Sequence, residues 1–210
     1  MQYNIQHTGG NGDEWMKIEN KTVGFAITGS FCTFKKVFPQ IKKLVDLGAS
    51  VIPIMSETSY TTDTRFGKAE EHIRKLEEIT GKNVIASIRD AEPIGPKEML
   101  DILVVAPCTG NSLAKIATGI ADSSVTLAVK AHLRNKRPVV IAVSTNDGLG
   151  NNAKNIGILS NMKNIYLVPF GQDDFKNKEN SLVADMEQIV PSIECALDEI
   201  QLQPLIKAYE

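Results

Sequence analysis

The amino-acid sequence predicts an α/β fold of three layers, with a doubly wound, mostly parallel sheet between two layers of helices. Two observations lead to this prediction. Short apolar runs rich in β-branched residues alternate with longer amphipathic segments along the chain, which is the pattern of βαβ units. The runs are also apolar throughout, as expected of strands that are covered on both faces.

Five apolar runs are predicted to be strands, at residues 23–27, 51–55, 102–106, 138–143 and 165–169. Helical periodicity follows at about 33–47, 66–79, 122–133 and 182–200, and a further helix is expected to start near Leu113. Between residues 80 and 101 the pattern is less regular, and 84–86 is a candidate short extra strand. This order of elements is typical of flavodoxin-like and Rossmann-like sheets with right-handed crossovers.

The chain of 210 residues has the length of one domain. Residues 1–15 show neither helical nor strand periodicity and contain a Gly-Asn-Gly cluster, so we expect a disordered extension there. Residues 16–210 are then expected to form a single domain.

Composition excludes several classes of function. Lys and Arg number 23 against 25 Asp and Glu, with no basic block, which argues against a nucleic-acid partner. Three widely spaced cysteines, Cys32, Cys108 and Cys195, indicate a reducing compartment and no metal site. Neither an apolar run of about 20 residues nor a signal-peptide pattern is present, so we expect a cytoplasmic protein that does not enter a membrane.

The strand predicted at 102–106 is followed by a turn of small polar residues. Pro107 ends the strand, and Thr109, Gly110 and Asn111 precede the next helix. In an open α/β sheet this is where ligands bind, and the glycine permits close approach to the backbone. An ordinary connection capped by Asn111 or Ser112 would explain the same residues.

A second turn of this kind follows the first strand. Thr28-Gly29-Ser30 lies between strand 23–27 and a helix, an arrangement that directs backbone N–H groups at a phosphate. The turn lacks the glycine pattern of dinucleotide sites and the Gly-Lys-Ser/Thr of a P-loop, so one phosphate is better supported than two. A simple helix cap is the alternative.

Two more loops carry hydroxyl and amide groups at the carboxyl ends of strands. Ser56 follows the second strand, and Ser144 and Asn146 follow the fourth. Turn chemistry explains any one of these loops by itself. Four such loops at one sheet edge favour a shared ligand site.

These blocks carry a resemblance to a known family. Thr28-Gly29-Ser30, the segment 107–111 and the Asn-containing loop 144–152 resemble the signature blocks of the flavin-binding homo-oligomeric cysteine decarboxylase superfamily. Within it, the blocks 131–140, 144–147, 168–173 and 201–204 are similar to the family of dipicolinate synthase B subunits. The resemblance extends from Met16 to the C-terminus.

The resemblance implies a flavodoxin-like domain that binds FMN. Gly29 and Ser30 would contact the phosphate of FMN, and Ser56 would bond near the ribityl chain or ring. The turn at 109–111 would contact the flavin, and Lys115 would offset negative charge nearby. The full set of cofactor residues implied in this way is Thr28, Gly29, Ser30, Ser56, Thr109, Gly110, Asn111, Lys115, Ser144 and Asn146.

The function implied is that of an oxidoreductase subunit in the mother cell of a sporulating bacterium. It would act with the dipicolinate synthase A subunit, which would use NADP or NAD, and form dipicolinate (pyridine-2,6-dicarboxylate) from a dihydrodipicolinate-type precursor. A homo-oligomer, trimeric or larger, is also implied. A flavin-dependent decarboxylase of the same superfamily and a non-catalytic subunit that organises its partner remain as alternatives. Candidate clamps for the substrate carboxylates are Lys35, Arg65, Lys115 and Lys130.

The sequence departs from the decarboxylases in its histidines. Those enzymes use a catalytic histidine, whereas His7, His72 and His132 all lie away from the recognised turns, so no catalytic residue is assigned. We expect His72 to be a solvated surface residue and His132 to interact with a helix C-terminus. Cys108 is expected to be a buried, unreactive thiol.

Overall fold

The computed structural model describes residues 17–207. The extension predicted at 1–15, with His7, lies outside the described residues, and the single domain expected over 16–210 stays a prediction. Within the described part, one seven-stranded sheet organises the chain.

The strands follow the apolar runs closely. Five of them pair in parallel, and two short ones near the C-terminus are joined to the sheet by antiparallel pairs. Their bounds are β1 Thr22–Ile27, β2 Ser50–Met55, β3 Ile102–Cys108, β4 Val139–Thr145, β5 Ile165–Leu167, β6 Phe170–Gly171 and β7 Leu182–Ala184.

The sheet has the strand order β2-β1-β3-β4, with β5 beside the first half of β4. Beyond it, β7 pairs with Ser144 and Thr145 at the end of β4, and β6 pairs with β7. The direction of winding reverses between β1 and β3, which is the topological switch point of a flavodoxin-like sheet. The predicted α/β fold with a mostly parallel sheet is therefore confirmed.

Eight α-helices connect the strands of the described part, together with three short 3₁₀ turns. The longest has 13 residues, and none in the described part is long and apolar enough to cross a membrane. Their bounds are α1 Phe34–Asp46, α2 Glu57–Thr61, α3 Ala69–Thr80, α4 Ile88–Ala91, α5 Gly110–Thr118, α6 Ser124–Arg134, α7 Ala153–Ser160 and α8 Ile189–Leu197.

The helices bury apolar faces on the sheet. In α1, Phe34, Val37, Phe38, Ile41 and Leu44 are buried, a spacing that places them on one side of the helix. Helix α1 packs with α8 against β3, whereas α6 packs with α5 against β3 and β4 from the other layer. Strand β3 is buried along its whole length, because helices cover it on both faces.

The prediction is wrong in the C-terminal third. The helix predicted over 182–200 begins only at Ile189, because Leu182–Ala184 extends the sheet as β7 and Asp185 caps the next turn by accepting the N–H of Glu187. Helices α2, α4 and α7 were not predicted, and all three are short. At the predicted short strand, Ile85 forms an isolated bridge with Ile54.

Candidate functional site

A cleft of about 720 Å³ lies at the carboxyl ends of β1, β3 and β4. Its volume falls within the range of roughly 300–1,000 Å³ typical of ligand pockets. Small residues from the three strand ends form its floor, and charged side chains from α1 and from the segment after β6 form its rim. The lining residues are Gly29, Ser30, Phe31, Cys32, Thr33, Lys35, Lys36, Phe66, Thr109, Gly110, Ser144, Thr145, Asn146, Asp147, Asp173, Lys178 and Val183.

Thr28 joins two sides of the cleft beneath its surface. Its hydroxyl donates to the carbonyl of Pro107 at 2.7 Å and accepts the N–H of Thr109 at 2.9 Å. Thr28 is 1% exposed and does not line the cleft. Its hydroxyl therefore holds the ends of β1 and β3 together.

The loop after β1 also meets the end of β4. The hydroxyls of Ser30 and Ser144 are 2.8 Å apart, and both residues line the cleft. The backbone N–H of Gly29 has no acceptor among residues 17–207, and a Cβ on this glycine would lie 3.2 Å from the Thr58 methyl. This loop thus presents an open backbone and a hydroxyl to a ligand.

The N-terminus of α5 points at the same region. Thr109 caps the helix by accepting the N–H of Ser112 at 3.4 Å. The N–H groups of Gly110 and Asn111 have no acceptor in the described part of the chain. Free N–H groups and the helix dipole together favour an anion such as a phosphate.

A hydrogen-bonded cluster around Asp147 covers Gly110. The Asp147 carboxylate accepts from the Thr145 hydroxyl at 2.5 Å and from the Asn152 amide at 2.9 Å. These hydrogen bonds hold the pKa of Asp147 below its usual range, and the bond from Thr145 has the largest effect. A Cβ on Gly110 would lie 2.5 Å from the Asn152 amide nitrogen and 2.6 Å from the Thr145 hydroxyl, so only glycine fits here without displacement of the cluster.

Six of the ten residues predicted to contact the cofactor line the cleft, namely Gly29, Ser30, Thr109, Gly110, Ser144 and Asn146. Thr28 lies beneath it, as described. Ser56 is buried where it caps α2 by accepting from Ser59, Asn111 is exposed on α5 outside the lining, and Lys115 is paired with Asp122 at 2.9 Å. Contact of any of the ten with a flavin stays a prediction.

Of the four candidate carboxylate clamps, Lys35 lies at the cleft. It is joined by Lys36 and Lys178, which the sequence did not single out. Arg65 instead stacks over Phe66, with its guanidinium carbon 4.9 Å from the ring centroid, and Lys130 is exposed on α6 away from the cleft.

The expectation that His72 is a solvated surface residue is wrong. His72 is 9% exposed and packs against Phe34, with ring centroids 4.9 Å apart; burial lowers its pKa. Its charged neighbours suggested exposure, but Ala69, His72 and Leu76 share the side of α3 that is buried.

His132 and Cys108 are both buried and neutral. His132 bonds through Nε2 to the carbonyl of Pro138 at 3.1 Å, and burial lowers its pKa to about 4. The expected charge interaction with the helix C-terminus is therefore wrong, because a neutral ring supplies no charge. Burial raises the pKa of the Cys108 thiol, in agreement with the predicted unreactive cysteine.

Asp147 and Asn152 are two further residues that sequence reasoning missed. Both lie in the Asn-rich loop that was singled out, but nothing in the loop distinguishes a side chain that faces the cleft from one that faces solvent. Among the described residues, no group of three or more His, Cys, Asp or Glu is placed to hold a metal ion.

The residues of the cleft fit a flavin, because glycine and hydroxyl groups leave its floor open and free N–H groups stand ready for a phosphate. The B subunit of dipicolinate synthase from Bacillus subtilis (strain 168) is 49% identical over 189 residues, which cover 90% of this chain and 94% of that relative.

Solved structures show the same fold. The crystal structure of the dipicolinate synthase B subunit from Bacillus halodurans C has a TM-score of 0.84 and 49% identity, covering 92% of this chain and 99% of that one. The FMN-dependent cysteine decarboxylase SpaF has a TM-score of 0.60 at 22% identity, over 87% of this chain and 98% of its own. A family model described as Flavoprotein matches residues 13–197. The chain therefore belongs to the flavoprotein family.

Proposed function

We propose that this protein is the B subunit of a dipicolinate synthase. The observation that carries the proposal is the 49% identity to the Bacillus subtilis protein along nearly its entire length. In this proposal the protein works with a nicotinamide-dependent A subunit, which uses NADP or NAD, to form dipicolinate from a dihydrodipicolinate-type precursor in the mother cell of a sporulating bacterium. It is then one component of an oxidoreductase, assembled as a trimer or a larger homo-oligomer.

FMN is the cofactor that we propose for the cleft. The phosphate would be held by the N–H of Gly29 and by the free N–H groups at the start of α5, with Ser30 and Ser144 as hydroxyl partners. Gly110 would leave room for the ring to approach the backbone. When bound, FMN supplies an acceptor for two electrons.

The proposed substrate carries two carboxylates, and the cleft offers cations to meet them. Lys35 and Lys36 form no ion pair with any described residue although both line the cleft. Their ammonium groups are therefore available for charge-assisted hydrogen bonds to a carboxylate.

A decarboxylase of the same superfamily is the second candidate, and the two histidines within residues 17–207 argue against it. Neither His72 nor His132 lines the cleft, and both are buried elsewhere. In the alternative non-catalytic role, the protein would shape its partner, and turnover would not require flavin. A requirement for flavin in turnover therefore distinguishes the proposed role from this one.

Reconstitution tests the proposal. The two subunits, purified separately, are combined with precursor, nicotinamide cofactor and FMN, and dipicolinate is measured by its ultraviolet absorbance. We expect product only when this protein and FMN are both present. Full activity without FMN would favour the non-catalytic role, and failure of the purified protein to change the visible spectrum of added FMN would contradict the cofactor proposal.

A further inference from the structure

We propose that Phe66 packs against the flavin ring of FMN in the cleft, and that Arg65 and the turn at residues 64–67 hold its side chain in position for this contact. The inference rests on the proposed function and deepens it. It assigns an aromatic side chain to the ring of the cofactor, which the proposed function leaves with Gly110 alone.

The cleft has an aromatic side and a polar side. Phe31 and Phe66 supply aromatic rings to its lining, whereas Asn146, Asp147 and Asp173 line it with polar groups. Phe66 follows β2, at the edge of the strand order β2-β1-β3-β4, and the polar residues follow β4 and β6. Phe66 therefore approaches the cleft from the side opposite to the polar groups. A flavin ring has apolar faces and a polar rim, so a lining of this kind suits it.

The turn that carries Phe66 is closed by backbone hydrogen bonds at both of its ends. Thr64 and Gly67 bond to each other through their backbone groups in both directions, at 3.0 and 3.1 Å. The hydroxyl of Thr64 also accepts the N–H of Phe66 at 3.1 Å. Gly67 has a φ of 136°, which glycine adopts without strain. The backbone of Phe66 is thus held in one conformation.

A buried group of aromatic rings supports this turn. A Cβ on Gly67 would lie 2.9 Å from the ring of His72, so the turn rests directly on that side chain. His72 packs edge-on against Phe34 with ring centroids 4.9 Å apart, and the ring of Phe34 lies 5.2 Å from that of Phe31. Phe31 and the turn that carries Phe66 therefore share one support. Groups that are positioned before a ligand arrives lose little conformational entropy on binding.

The ring of Phe66 is restrained by Arg65 and is still open to a ligand. The guanidinium carbon of Arg65 lies over this ring, 4.9 Å from its centroid, and such a cation–π contact favours one orientation of the side chain. Phe66 is nevertheless 46% exposed. A single exposed phenylalanine is ordinary on a protein surface, but this one lines a cleft and is restrained. Its uncovered area is available for contact with a planar ring.

Binding of FMN to the purified full chain tests the inference without turnover. Phe66→Ala should weaken FMN binding about 10-fold, because truncation removes both stacking and apolar contact with a planar ring. Phe66→Leu keeps part of the apolar area and should have an intermediate affinity. Phe175→Ala is the matched control, since Phe175 is also exposed but lies outside the lining of the cleft. That variant should bind FMN as the wild-type protein does.

Phe66→Trp reports the contact itself and does not depend on a loss of affinity. A tryptophan in contact with a flavin quenches its fluorescence by reversible electron transfer to the excited ring. The fluorescence lifetime of bound FMN should therefore be shorter in Phe66→Trp than in the wild-type protein. Phe175→Trp is the control for this measurement and should leave the lifetime unchanged.

Three outcomes would overturn the inference. Equal FMN affinities of wild type and Phe66→Ala, or equal lifetimes in Phe66→Trp and Phe175→Trp, would do so and leave the proposed cofactor standing. A smaller assembly of Phe66→Ala in light scattering, with unchanged FMN affinity, would instead assign Phe66 to a contact between copies of this chain. Absence of FMN binding by the wild-type protein would overturn both the inference and the cofactor part of the proposed function.

Discussion

The hydroxyl oxygens of Ser30 and Ser144 lie 2.8 Å apart, so the loop after β1 and the end of β4 meet above the carboxyl end of β3. Each hydroxyl can be the donor in this bond, which leaves the other hydrogen free for a ligand. Because 114 positions separate the two residues in the chain, their contact exists only in the folded protein. It marks the floor of the proposed flavin site.

Ser144→Ala should weaken FMN binding. The substitution removes one hydroxyl from the cleft and the partner that orients Ser30, a loss of about 1 kcal/mol, or about fivefold in dissociation constant. Quenching of FMN fluorescence during titration measures the change. Ser160→Ala, at the exposed end of α7, is the control, and equal affinities for the two variants would remove Ser144 from the site.

Gly110→Ala should destabilise the protein by about 1–3 kcal/mol, since the new methyl group would lie 2.5 Å from the Asn152 amide and must displace the Asp147 cluster. Gly157→Ala is a matched control on α7, where a Cβ would meet nothing within 4 Å. That change should stabilise the protein by about 0.5–1 kcal/mol. Urea unfolding measures both changes. An unchanged free energy of unfolding for Gly110→Ala would show that the Asp147 cluster can shift at little cost.

Thr28→Val should cost about 1–3 kcal/mol of unfolding free energy. The methyl group that replaces the hydroxyl can neither donate to the carbonyl of Pro107 nor accept the N–H of Thr109. The N–H of Thr109 would be left without a partner beneath the cleft, and the carbonyl of Pro107 would keep only the backbone N–H of residue 28, at 3.3 Å. Thr118→Val, on an exposed turn of α5, is the control for the same chemical change. Similar unfolding midpoints for the two variants would contradict the structural role of Thr28.

His132 should make stability depend on pH. Its pKa is about 4 in the folded protein and about 6.5 when unfolded, so the unfolded chain takes up the proton first as pH falls. The stability associated with the neutral ring is thus fully present above about pH 6.5 and is lost as pH falls towards 4. From about pH 7.5 to about pH 5 the loss should be about 2 kcal/mol.

His132→Gln tests this expectation, because glutamine does not titrate yet can donate to the carbonyl of Pro138. Urea unfolding of both proteins at the two pH values gives the difference directly. His72, whose pKa is also lowered, remains in both proteins, so its contribution cancels. Parallel losses in wild type and variant would show that His132 is not the group responsible.

Local patterns predicted the five parallel strands well and the segment 182–188 less well. The strands β1 to β4 match the apolar runs because burial on both faces requires continuous apolar sequence, which is visible without a structure. Strand β7 was not visible, since three residues are too few to show a period and the pairing with Ser144 and Thr145 supplies the reason for its conformation.

The cleft was predicted in outline. The turns at 28–30 and 109–111 and the loop after β4 all reach it, because parallel strands deliver their carboxyl ends to one edge of a sheet. Thr28 and Ser56 nevertheless point their hydroxyls into the protein, and Asp147 faces the cleft instead. Side-chain direction at a strand end depends on neighbouring loops, which a local motif does not contain.

The sequence by itself determined the class of fold, the five parallel strands of the sheet and the family, because each depends on the type and order of residues along the chain. Only the tertiary structure decided which polar side chains share the cleft, that His72 is buried against Phe34, and that Gly110 makes room for the Asp147 cluster. Those relationships join residues far apart in the chain, and their distances are set by how the helices and loops pack on the sheet.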